Sequence, residues 1–131
     1  MLPAVLAVML ITGLALAGVA TLVTARLDQS RVLQARIDQV QKSSDAVRYA
    51  SNAVRNDNTI GRQGNTSTWV YDGTTVTCTG ETGSGVPSGA GRTDRTVTCS
   101  APMVTARYRY FDRSGAGNGT IVDQLSWAVA D

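Results

Sequence analysis

Cys78 and Cys99 are the only cysteines in a chain of 131 residues that contains no histidine. Each closes the same tetrapeptide, Thr75-Val76-Thr77-Cys78 and Thr96-Val97-Thr98-Cys99. The chemistry open to such a pair is a disulfide; the alternative is two unrelated free thiols. A second half rich in Thr, Ser and Gly fits an oxidising, extracytoplasmic compartment better than a reducing one. On strands, Val and Cys of each repeat share one face, and antiparallel pairing of the repeats brings Cys78 to Cys99. In the chain-entropy picture a bridge closing about 22 residues contributes roughly 3 kcal/mol, a large share of a small domain's stability.

Little else in the chain has the spacing of a reactive centre. Without histidine there is no Ser-His-Asp or Cys-His arrangement and little basis for catalytic zinc, so no enzyme is expected. Gly83-Ser84-Gly85 and Gly115-Ala116-Gly117 lack the lysine and strand-to-helix setting of a phosphate loop and read as turns. Asp57, Asp72, Asp94, Asp112 and Asp123 have no calcium-loop spacing and are expected to be scattered over the surface. No cofactor or metal is therefore expected. Arg107-Tyr108-Arg109-Tyr110-Phe111 could track phosphate and stack bases. Strand alternation, however, turns the arginines and Phe111 one way, toward solvent, and the tyrosines the other, onto a helix. With a net charge of +2 and dispersed arginines, nucleic acid is not an expected partner.

The positioning elements begin with a run from Met1 to Ala25 that has no charged side chain until Arg26. As a helix it covers roughly 35 Å, enough to cross a hydrocarbon core of about 30 Å. Pro3 suits a first helical turn. Gly13, Ala17, Gly18 and Thr21 could form a small-residue packing seam. No Lys or Arg precedes the run, whereas a secretory signal has a basic n-region, so a removed basic leader is expected. Arg26, Arg31 and Arg36 would otherwise direct the second half to the cytoplasm, against the disulfide.

Beyond Arg26, Leu33, Ile37, Val40, Ser44, Val47, Ser51 and Val54 recur at helical spacing, with Ala46, Ala50 and Ala53 beside them. Asp28, Gln29, Arg36, Gln39, Lys42, Asp45 and Arg48 occupy the other face. The helix is expected to run to about Arg55 and to pack Leu33, Ile37, Val40, Val47 and Val54 on the chain's second half. Asn56-Asp57-Asn58 forms the stop, and Gly61 and Gly64 lie in the connector. Trp69-Val70-Tyr71, Asp72-Gly73 and Thr74 to Cys78 read as a hairpin. Residues 80–92 read as an exposed loop, 104–111 and 120–130 as strands, and 114–119 as a turn. The expected fold is α+β: a long N-terminal helix on an antiparallel sheet of four or five strands. Its parts are 1–25 (apolar helix), 26–55 (amphipathic continuation) and 56–131 (disulfide-stapled β domain).

An apolar N-terminal helix, its amphipathic continuation and a sheet closed by a disulfide together resemble the type IV pilin family, pseudopilins included. Met1 matches the usual mature start. Val5 stands where the family carries a glutamate, and Leu22 stands near the family's helix-breaking proline, so a continuous helix is expected and Thr12 is a candidate acceptor for the terminal amine. The resemblance implies a structural subunit of a homopolymeric filament on the bacterial surface, membrane-inserted before assembly. It also implies a prepilin peptidase and an inner-membrane assembly machinery as partners. Met1, Leu2, Pro3, Val5, Leu6, Met9, Leu10, Gly13, Leu14, Ala17 and Gly18 would be the assembly residues. Two alternatives stay open. One is a minor (tip) pilin or pseudopilin. The other is a membrane-anchored or secreted binding module that does not polymerise, to which Ala15-Leu16-Ala17 before Gly18 points by resembling a signal-peptidase site.

Overall fold

A computed structural model of the chain describes residues 2–57, 59–62, 64–82, 87–88, 92–113 and 121–131, with Leu2, Pro87, Ser88, Arg92, Thr93, Arg113 and Ile121 described by backbone only. Helix α1 runs unbroken over Leu2–Asn56. The strands are β1 (Thr66–Tyr71), β2 (Thr74–Gly80), β3 (Pro87–Ser88), β4 (Arg92–Ser100), β5 (Val104–Arg113) and β6 (Ile121–Val129). By contact the chain divides into Met1–Asp38, whose described residues are all helix, and Gln39–Asp131, which holds the rest of α1 and the whole sheet. The expected α+β architecture is therefore the observed one. Met1 lies outside the described residues, as do both Gly-rich fragments at 83–85 and 115–117 and the turn at 114–119.

All strand pairs are antiparallel, in the order β1-β2-β4-β5-β6, and the two-residue β3 pairs β4. Asp72 and Gly73 both have positive φ, 46° and 71°, the requirement of a two-residue type I′ turn. That turn fixes the β1–β2 register, closing on Tyr71 opposite Thr74. Cys78 then stands opposite Cys99 as expected, the repeated tetrapeptides overlapping only at these last residues.

Strand parity builds the core. Val76 and Cys78, Val97 and Cys99, and Val104, Ala106, Tyr108 and Tyr110 all turn to one face, where Ala46, Val47, Ala50 and Val54 of α1 cover them. Burying a valine contributes roughly 1.5–3 kcal/mol, so Val47 and Val54 are major contributors on the helix side.

The helix-to-sheet expectation is corrected at two positions. Val47 and Val54 are in the core and Val40 packs at its margin, but Leu33 and Ile37 are 61% and 58% exposed. At about 100° per residue, Ser43, Ala46, Val47, Ala50 and Val54 occupy an arc of about 100°; Leu33 and Ile37 fall outside it and Arg36 within it. The sheet also ends there: Gly73, Thr74, Pro102 and Met103 line one cleft with Gln39, Lys42 and Ser43. The small residues Ser43, Ala46 and Ala50 define the buried line because they let the helix approach the strands closely.

Candidate assembly helix and anchoring domain

In the first unit the large apolar side chains between Val5 and Val23 are between 51% and 72% exposed. Val5, Leu6, Met9, Leu10 and Leu14, expected as assembly residues, are all among them. A helix apolar on every side is suited to lipid or to a packed bundle, since water offers it nothing. Its polar groups are satisfied internally. Thr12 Oγ1 donates to the carbonyls of Val8 and Met9 at 2.8 and 3.1 Å. Thr21 donates to Ala17 and Gly18, and Thr24 to Ala20 and Thr21. This self-satisfaction is the condition for a segment to enter hydrocarbon. Thr12 thus spends its proton on its own helix and keeps lone pairs that could accept. A Cβ added at Gly13 or Gly18 would meet nothing within 4 Å, so neither glycine is required by contacts within the chain. Gly13, Ala17 and Thr21 share one side, with Gly18 about 60° beyond Thr21.

In the second unit the Cys78–Cys99 disulfide is formed and fully buried. A bridge of this kind places the domain's chemistry in an oxidising environment. Four residues before Cys99 on β4, on the same face, lies a group that composition did not suggest. Arg95 is completely buried. Its Nε and one terminal nitrogen donate to the two carboxylate oxygens of Asp112 at 2.5 and 2.9 Å. The same fork donates to the carbonyls of Val54, Asp57 and Ile60. A guanidinium has five N–H donors, and here each has an acceptor. The acceptors Val54 and Asp57 lie at the C-terminus of α1, where carbonyls lack helical partners and carry the negative end of the dipole. Asp112, expected on the surface, is corrected to 8% exposed. A legible signal existed: Arg95, Val97 and Cys99 have one parity, as do Tyr108, Tyr110 and Asp112.

Asp57 also departs from chance placement. Its carboxylate accepts from the hydroxyl and amide of Thr59 at 2.6 and 2.9 Å, an Asx turn that ends the helix. Those bonds hold its carboxyl below the usual 3.8. The connector then returns through Gly61 and Gly64, both at positive φ.

On the far face Arg107 and Arg109 are solvent-exposed, as alternation required. Arg107 forms a two-pronged ion pair with Glu81, which lowers the glutamate's pKa from 4.5. Tyr110 donates to the Ser51 carbonyl at 3.1 Å, fastening β5 to α1. Among the described residues no three His, Cys, Asp or Glu side chains converge. Compared with protein-family models, curated proteins and solved structures, the chain matches none.

Proposed function

We propose that this chain is a structural subunit of an extracellular type IV pilus-like filament, assembling through its apolar N-terminal helix. One observation carries the proposal. The charge-free segment, exposed on all sides, is continuous with the helix whose last turns form the core of a disulfide-stapled sheet. A segment of this kind has to be covered by lipid or by copies of itself, and a stapled domain on the same helix suits an outward position. Mechanism here means assembly: the helix waits in the membrane and then exchanges lipid contacts for contacts with other copies. Met1, Leu2, Pro3, Val5, Leu6, Met9, Leu10, Gly13, Leu14, Ala17 and Gly18 would supply them. Lipid and Leu are equally apolar, so close packing at Gly13, Ala17 and Gly18 would contribute the specificity.

Val5 sets a condition on this scheme. A terminal ammonium buried without a carboxylate is costly, so it would sit near water or take a hydroxyl acceptor such as Thr12. A minor or tip subunit, with fewer neighbours around its terminus, tolerates that more easily than a subunit repeated along the shaft. The processing enzyme would be a prepilin peptidase, and the assembly machinery would lie in the inner membrane.

The test is the intact mass and N-terminal sequence of this chain in material sheared from cells, imaged in the same sample by electron microscopy. Filaments containing a subunit that begins at Met1 are expected. A soluble species beginning at Gly18, with no filaments, would replace the proposal with a secreted, non-polymerising binding domain, the outcome to which Ala15-Leu16-Ala17 points.

A further inference from the structure

The sheet has two edges, and they are built differently. At β6 the register slips between Arg107 and Tyr108. These pair with Ser126 and Gln124, which leaves Leu125 as a bulge, and the exposed Asp123 lies on the same strand. A bulge and a charge are the usual devices that prevent a further strand from adding. The other edge, β1, has neither. Its sequence Thr-Ser-Thr-Trp-Val-Tyr holds no charge, no proline and no glycine. It pairs β2 over six consecutive residues without a slip.

The direction of its free hydrogen-bonding groups follows from the turn. In a two-residue hairpin the closing pair, Tyr71 and Thr74, exchanges both hydrogen bonds, and bonding then alternates along the ladder. Trp69 and Ser67 therefore bond to β2, whereas the N–H and C=O of Thr66, Thr68 and Val70 point away from the sheet. Among the described residues no strand pairs with them. Val70 is 67% exposed, and Tyr71 stacks on Tyr49 at 4.9 Å beside the edge, both rings open to solvent.

We propose that β1 is a self-association edge, pairing antiparallel with β1 of a second copy to form one continuous sheet across both. The occupant follows from charge and symmetry. A two-fold pairing sets an uncharged strand against an uncharged strand, so no like charges oppose each other, even though the chain carries net positive charge. It also consumes both free edges at once and closes. Pairing β1 with β6 of another copy meets the bulge and Asp123 and leaves the row open. The contact is independent of the apolar helix. On filaments of the kind proposed above it would join neighbouring filaments side by side.

The experiment uses the full chain in non-ionic detergent, followed by sedimentation velocity and by amide hydrogen exchange of the segment 66–71 over a range of concentrations. The expected result is a dimer that forms with rising concentration and slows exchange in this segment, in the wild type and in Gly18→Glu alike. Thr68→Pro removes an outward N–H without touching a β1–β2 backbone bond, at the loss of the hydroxyl contact with Thr77 at 3.3 Å, and Val70→Lys places a charge on the edge while leaving that contact in place. Both variants should stay monomeric while circular dichroism shows the native sheet. A wild type that is monomeric at every concentration overturns the proposal, including the case in which the edge accepts only a foreign strand. So does a dimer that survives both variants or leaves exchange at 66–71 unchanged. A wild type that forms this dimer but no filaments would sink the filament proposal alone.

Discussion

Arg95 and Asp112 form a buried ion pair with two parallel hydrogen bonds, in which the arginine also gathers three carbonyls from the end of α1 and the connector after it. The pair joins β4 and β5 to the helix terminus. Breaking one partner of a buried pair strands the other charge, a loss of about 3–5 kcal/mol. Asp112→Ala is therefore expected to consume much of a stability that is only about 5–15 kcal/mol for a domain. Urea unfolding in detergent measures it. Arg95→Lys should also destabilise, because an ammonium has three donors where the site uses five. A change below about 1 kcal/mol in Asp112→Ala would contradict the burial described.

Gly80 should be intolerant of any side chain. A Cβ there would lie 2.0 Å from the Gly61 carbonyl oxygen and 2.3 Å from its carbon, backbone atoms with nowhere to go. Gly80→Ala is expected to cost several kcal/mol, at or above the roughly 1–3 kcal/mol of ordinary overpacking. At Gly73 an added Cβ meets nothing, so Gly73→Ala should lose only about 1–2 kcal/mol through its positive φ. Equal losses in the two variants would show that the close approach of Gly61 and Gly80 is wrong.

Reducing the disulfide releases a constraint across a sequence separation of 21 residues and should lower stability by roughly 3 kcal/mol. Cys78→Ala with Cys99→Ala should do the same. Calorimetry with and without reductant tests this, and an unchanged Tm would remove the staple from the account of the domain.

Alkaline unfolding has a specific source in Tyr110. Burial, with Tyr108 beside it, raises its phenol well above the ordinary value of 10.0. The folded state thus favours the neutral phenol more than the unfolded state does. That contribution is complete below pH 10 and is lost as pH climbs past 10 toward the raised value. In a tyrosinate absorbance titration one component should rise only with loss of near-ultraviolet dichroism, and Tyr110→Phe should lack it. A freely reversible titration of Tyr110 in the folded chain would contradict its burial.

Gly18→Glu places a carboxylate in the charge-free segment, an expensive location in lipid or in a helix bundle. The expected outcome is loss of filaments, while the chain solubilised in detergent keeps its disulfide and its sheet dichroism. Normal filament yield would remove this segment from the proposed assembly core.

Much of this architecture was legible before folding because it rests on local rules. The unbroken apolar run to Arg26 specifies a helix of membrane length by composition alone. Asp72-Gly73 specifies a type I′ turn because few residue pairs accept two positive φ values. The repeated Thr-Val-Thr-Cys specifies the pairing of Cys78 with Cys99, since alternation places both sulfurs on one face. Tertiary structure decided what depends on a partner. Which arc of α1 is buried was set by the strands and by where they end, so Ser43, Ala46 and Ala50 face the sheet and the larger Leu33 and Ile37 stay outside. Arg95 could be assigned an inward face from parity. Its five acceptors, however, come from two separated stretches of chain, 54–60 and Asp112, that only the folded domain brings within 3.2 Å or less of one guanidinium.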